Sequence, residues 1–131
     1  MKISARAIAT IVAKYGLRLV VLFGSQAGNN THKESDVDIA FFPSKKINEE
    51  KLYEDLIHLF QRADIDVINL FITHNHLLRY EILSKGKVLY EETKGLKSKM
   101  EGESFIDYVD FKRYYDLRSK LLDKKIAELA G

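Results

Sequence analysis

The sequence contains no cysteine, which excludes disulfides and thiolate metal sites. That fits a reducing, cytoplasmic setting. Proline occurs once, at Pro43, and glycine seven times, so few positions can break an element and each is informative. The longest unbroken apolar run, Leu19 to Phe23, is far short of the ~20 residues a membrane helix needs. Met1-Lys2 is not followed by the apolar core of a signal peptide. Neither sign of charge dominates: 21 Lys and Arg stand against 19 Asp and Glu, a net +2. Composition therefore carries no electrostatic footprint of a nucleic-acid binder. The Lys45-Lys46 and Lys124-Lys125 pairs lack interleaved aromatics and read as solvated. No Walker or Rossmann glycine pattern occurs. What remains is 131 residues, 46% hydrophobic and 31% charged. This is one soluble domain, able to bury a core without a covalent staple.

Periodicity divides the chain into alternating helices and strands. Ile3 to Tyr15 predicts a helix with Ile8, Ile11, Val12 and Tyr15 on one face, stopped by Gly16. Leu17 to Phe23 predicts a mostly buried strand, broken by Gly24-Ser25. Gln26 to Ser35 is polar and reads as a loop or a short helical turn. Asp36 to Phe42 alternates as a second strand, ended by Pro43. Asn48 is placed to cap a helix whose apolar face is Leu52, Leu56, Ile57, Phe60 and Ala63. Asp64 to Phe71 predicts a third strand, His74 to Lys85 a helix ending at Gly86, and Lys87 to Tyr90 a short edge strand.

Thr93 to Glu103, with Gly95 and Gly102, reads as a hinge before a long helix from Ser104 to Ala130. That helix carries two apolar stripes. Phe105, Tyr108, Phe111, Tyr115 and Leu122 form one; Tyr114, Leu117 and Leu121 form the other. One stripe can cover the domain, and the second suggests a partner surface, unless the helix breaks and buries both at home.

The chemistry lies in Gly24-Ser25, a ten-residue gap, and Asp36-Val37-Asp38. In a strand, side chains alternate, so Asp36, Asp38 and Ala40 share one face and Val37, Ile39 and Phe41 the other. The two carboxylates then lie ~6.5–7 Å apart along the strand. Charges that close repel unless a cation sits between them, and Mg²⁺ suits an all-oxygen site. Asp66, on the third strand, can complete a three-acid cluster if that strand lies beside the second. Such a cluster could hold two metal ions for phosphoryl transfer. Gly24 allows close backbone approach, and the following amides and the Ser25 hydroxyl can cradle a phosphate. An antiparallel pairing of the first two strands would bring cradle and acids to one edge.

These residues resemble the signature of the polymerase-beta-type nucleotidyltransferases. The short chain, Leu78-Arg79-Tyr80-Glu81-Ile82-Leu83 and Gly86-Lys87-Val88-Leu89-Tyr90-Glu91 resemble the minimal (MNT) members. Tyr108-Val109-Asp110-Phe111 is similar to the C-terminal helix of the MntA antitoxins, the partners of HEPN toxins. The resemblance implies an α/β nucleotidyltransferase fold, a small mixed sheet flanked by helices with a long C-terminal helix. Residues 1–92 would form the minimal domain, and 93–131 a hinge and helix packing on the domain, the partner or both. It also implies that Asp36 and Asp38 hold two Mg²⁺ ions, that Asp66 holds the catalytic ion and activates the attacking hydroxyl, and that Gly24 and Ser25 bind the nucleotide's phosphates. The implied reaction attaches AMP from ATP to a tyrosine of a cognate HEPN ribonuclease toxin. One departure is plain: where many members carry arginines after the Gly-Ser pair, this chain has Gln26 and Gly28.

Other readings stay beside this one. A small-molecule, antibiotic-type nucleotidyltransferase would need added substrate-binding structure, which only the C-terminal helix could supply. A catalytically weak antitoxin could act by binding alone. Asp64 shares the face of Asp66 but reads as a solvated turn residue at the strand start. Ser25 reads as a phosphate ligand and not a nucleophile. His74-Asn75-His76 reads as a helix-start surface, His32 as a loop residue and His58 as a helix residue.

Overall fold

A computed structural model describes residues 4–24 and 37–130. The expected loop from Gln26 to Ser35, together with Ser25 and Asp36, lies outside the described residues.

The first helix, α1, is Ala5–Tyr15. The Ser4 side chain accepts from the Ala7 amide, and Gly16 ends the helix in the left-handed region at φ 67°, its amide donating to the Val12 carbonyl. Strand β1, Leu17–Phe23, follows at once. Strand β2, Val37–Pro43, returns antiparallel to it, with Phe23 opposite Asp38 and Leu17 opposite Pro43. Helix α2, Glu49–Phe60, is capped by the Asn48 side chain, which accepts from the Lys51 amide at 3.1 Å. It ends earlier than its apolar spacing predicts. Gln61 turns left-handed at φ 52°, so Ala63 is exposed beyond the helix.

Strand β3, Ile65–Asn69, lies parallel to β2. It stops short of the predicted Phe71, which is 65% exposed in the turn that follows. Helix α3, His76–Lys85, is capped by Asn75, and strand β4, Lys87–Glu91, lies antiparallel on the other side of β1. The sheet order is β3-β2-β1-β4, so β4 is an edge as expected.

Each face of this mixed sheet is covered. Leu17, Val20, Leu22, Val37, Ile39, Phe41 and Ile65 pack under α1 and α2. Leu19, Val21 and Ala40 pack with Ile82 and Leu83 of α3 on the opposite face. The unbroken apolar run of β1 is the consequence of burial on both sides. An irregularity in the β1–β2 ladder between Leu17 and Leu19 explains why two residues of like parity face opposite ways.

Gly86 is needed for space. Its φ is an ordinary −72°, but an added Cβ would lie 2.2 Å from Val21 Cγ1 and 2.5 Å from the Ile82 carbonyl oxygen. A glycine here lets α3 close onto β1.

Helix α4 runs unbroken over Leu96–Ala130. The expected hinge over 93–103 therefore shrinks to the turn at 93–95, and Gly102 sits inside the helix with open space around it. The start is set by Glu91, whose carboxylate accepts from the Gly95 and Lys97 amides at 3.1 and 3.2 Å. Leu96, Met100 and Ser104 are buried, the first two in the core beside α3. From Phe105 to Ala130 no residue is buried; Phe105 and Phe111 of the first stripe lie half-exposed against Tyr80 and His76 of α3, and beyond Phe111 both stripes are uncovered by the domain. No described helix is long and apolar enough to cross a membrane.

Candidate active site

The acids sit where β2 and β3 begin. Parallel pairing places Asp38 directly beside Asp66, and residues so paired on neighbouring strands are ~4.8 Å apart. Alternation puts both on the side of the sheet that carries Ala40 and Ile68, the side covered by α3. Asp38 is half-buried and Asp66 exposed. The juxtaposition of β2 with β3, which the spacing of the acids required, is thus present. Asp36 and Ser25, the other predicted ligands, lie outside the described residues.

Gly24 closes β1 next to this pair. Its φ is 76°, in the left-handed region, and a Cβ built on it would fall 2.1 Å from Asp38 Oδ2 and 3.1 Å from Asp38 Cγ. The backbone at Gly24 therefore lies against the Asp38 carboxylate. Sequence reasoning read this glycine as room for a phosphate. The structure adds that the room is already used to seat a carboxylate, a cross-strand contact with no local signal.

Asp64 is engaged by Arg62. Its carboxylate accepts from Arg62 Nε at 2.8 Å, and that bond holds its pKa below the usual carboxylate value. Its carbonyl accepts from the Val37 amide at 3.1 Å, tying the entrance of β3 to that of β2. The exposed turn residue expected there is thus an ion-paired one that aligns the two strands bearing the acids.

Asn75 supplies the α3 cap, His74 is exposed, and the His76 ring packs 5.0 Å from that of Phe111. Among the described residues no group of three or more His, Asp or Glu side chains could hold a metal ion. The donors that are described, Asp38 and Asp66, are hard oxygens side by side, the chemistry that Mg²⁺ prefers. A cavity of about 370 Å³ lined by Pro43, Lys46, Ile47, Asn69 and Phe71 lies at the other ends of β2 and β3. Sequence reasoning did not find it, because its walls come from two segments distant in the chain, 43–49 and 69–72.

The family described as polymerase beta, nucleotidyltransferase matches residues 6–95. The chain belongs to that family. The matched span holds all four strands, Gly24, Asp38 and Asp66, and ends one residue before α4. Among solved structures, a chain of a toxin–antitoxin crystallised with AMP-PNP is 20% identical, with a TM-score of 0.71 over 95% of this chain and 99% of that one. A Shewanella oneidensis complex of a tri-AMPylated HEPN toxin with an MNT antitoxin contains a chain that is 19% identical, with a TM-score of 0.64 over 93% and 95%. An MntA–HepT complex gives the same TM-score, at 19% identity over 93% and 96%. These likenesses establish the fold. Coverage of 95% cannot omit a 35-residue helix, so most of α4 belongs to the shared architecture although it lies outside the family match. No curated protein matches the chain.

Proposed function

We propose that this nucleotidyltransferase is an antitoxin that transfers AMP from ATP to a tyrosine hydroxyl of a HEPN-type toxin in the cytoplasm. The observation that carries the reading is the pairing of Asp38 with Asp66, with Gly24 against Asp38, inside the family's matched span. The substrate and partner are suggested by the toxin–antitoxin neighbours, one of which was crystallised with AMP-PNP and another of which holds a tri-AMPylated toxin.

Asp36, Asp38 and Asp66 would hold two Mg²⁺ ions, which would offset charge on the entering and leaving oxygens. Gly24 and Ser25 orient the triphosphate, the glycine by backbone approach and the serine by its hydroxyl. Asp66, the exposed acid, faces the incoming substrate and takes the tyrosine proton. The phenolic oxygen attacks the α-phosphorus; its bond to phosphorus forms as the bond to the bridging oxygen breaks, and pyrophosphate leaves. Residues from Leu96 onward pack on the domain as far as Phe111 and present their remainder to the toxin.

The test is to incubate the protein with labelled ATP, Mg²⁺ and the toxin, and to repeat it with Asp36→Ala/Asp38→Ala. Label on a toxin tyrosine that disappears with the double variant supports the reading. Absence of ATP consumption by the wild type overturns it. The long uncovered helix favours one second reading, neutralisation by contact alone, which predicts that the double variant still silences the toxin.

A further inference from the structure

Among the described strands only β2 and β3 pair in parallel, and the candidate acids lie at the amino end of that pair. In open α/β sheets ligands settle outside the carboxyl ends of such strands, where the following helices begin and turn their positive ends inward. Here α2 follows β2 and α3 follows β3, starting at Glu49 and His76. Asp38 and Pro43 stand at opposite ends of β2, ~16 Å apart along an extended strand. The crevice at the carboxyl ends is therefore separate from the paired acids.

The crevice has fixed walls. Its cavity of about 370 Å³ falls in the range of small-molecule sites. Ile47, Phe71 and Ile72 make its apolar lining. Phe71 and Ile72 are 65% and 54% exposed, and two large apolar side chains together at a cavity mouth mark a contact site. The turn that presents them is held in place. Asn69 Oδ1 accepts from the Phe71 amide at 2.9 Å, and the Asn69 carbonyl accepts from Thr73 Oγ1 at 2.9 Å. The Phe71 ring stands edge-on to Phe42, with centroids 5.7 Å apart. A ligand entering here has little to order.

The polar groups are few. Asn69 is only 9% exposed, and its Oδ1 is taken by Phe71. Among the described residues its Nδ2 has no protein acceptor, yet it is not sealed from solvent, so this donor opens into the cavity that Asn69 lines. Lys46 lines the cavity and joins none of the ion pairs among the described residues. Lys45 lines it too, but its Cε lies 3.6 Å from the place of a Gly16 Cβ, which turns its stem toward the end of α1. Glu49, in the first turn of α2, adds one negative charge to the lining. A neutral donor and a cation beside a carboxylate suit a ligand with one negative charge. A phosphate dianion would meet stronger repulsion from Glu49.

We propose that this crevice binds a small organic monocarboxylate with a flat apolar body. The carboxylate accepts from Asn69 Nδ2 and Lys46 Nζ, and the body lies between Ile47, Phe71 and Ile72, stacked on the Phe71 ring. Binding here is independent of AMP transfer, which the test does not measure.

The experiment titrates the ¹⁵N-labelled full chain with naphthoate and follows the backbone amides by NMR. The expected result is saturable shifts at residues 43–49 and 69–72, with a Kd below ~1 mM. The neutral analogue naphthalenemethanol should bind at least ~10-fold more weakly, having lost a charge-assisted hydrogen bond. Lys46→Gln and Ile72→Ser, both at exposed positions, should each weaken naphthoate ~5-fold or more, and their unliganded spectra check that the fold is kept. Equal binding of acid and alcohol, unchanged binding by both variants, tighter binding of naphthyl phosphate, or shifts centred on the exposed part of α4 overturns the proposal. So does the lack of any saturable shift at millimolar naphthoate. A wild-type spectrum in which the same amides shift with protein concentration alone also overturns it, because a second copy then fills the cavity.

Discussion

Replacing Gly24 with alanine separates two physical costs at the candidate site. The first is conformational. At φ 76° a side chain meets the left-handed penalty of ~1–2 kcal/mol. The second is steric. The new methyl would stand 2.1 Å from Asp38 Oδ2, and ordinary contact begins at 3.4 Å, so the carboxylate must retreat by more than 1 Å. Displacing a packed group costs ~1–3 kcal/mol. Together the variant should lose ~2–5 kcal/mol, which urea unfolding can measure. If Asp38 holds metal as proposed, moving its carboxylate by this much should also lower AMP transfer ~10²-fold. A cycle with Asp38→Ala isolates the steric part. In that background Gly24→Ala should cost only the ~1–2 kcal/mol of the backbone. Equal losses in both backgrounds, together with an unimpaired transfer rate, would refute the contact and its place in catalysis.

Other outcomes follow from neighbouring observations. On the proposed role of Asp66 as proton acceptor, Asp66→Asn should cut transfer ~10²–10⁴-fold, with stability within ~0.5 kcal/mol because the residue is exposed; steady-state kinetics and a thermal melt check both. Gly86→Ala should destabilise by ~1–3 kcal/mol through its collision with Val21 and the Ile82 carbonyl, whereas Gly102→Ala should stabilise by ~0.5–1 kcal/mol, being helical and unobstructed; denaturant midpoints decide. Asp55, bonded to Lys14 and Tyr15, Asp64, bonded to Arg62, and Glu91, bonded to the Lys97 and Gly95 amides, all have lowered pKa values. For depressed carboxylates the stabilisation is present above their unfolded values, ~4, and is lost as pH falls through the folded ones. Unfolding measured from pH 6 downward should therefore steepen below about 4, and Asp55→Asn should flatten that limb.

Local chemistry was legible wherever an element's end or face depends on its own residues. Asn48 caps its helix as read, its side chain reaching the amide three residues on, a relation internal to the sequence; Ser4 and Asn75, read as lying within helices from Ile3 and His74, cap theirs in the same way. The alternation of β2 follows from the strand period, and it divided Val37, Ile39 and Phe41 from Asp38 and Ala40 before any fold was known. The acids stood out because two like charges one strand-step apart are unfavourable without a cation, which made Asp36 and Asp38 informative as a spacing. Family resemblance added the role of Asp66, and the parallel register set it beside Asp38.

Tertiary structure decided what depends on distant atoms. Gly24 and Gly86 are glycines because a carboxylate on β2 and a valine on β1 occupy the space of their side chains, and no local pattern encodes those neighbours. Glu91 sets the start of α4 by reaching its first amides, which removed the expected hinge. The sequence by itself determined that α4 is a helix with two apolar stripes, since periodicity is a property of consecutive residues. Only the tertiary structure decided that both stripes are uncovered beyond Phe111. Burial requires a surface beneath the helix, and the domain ends at the first residue of α3 while α4 continues.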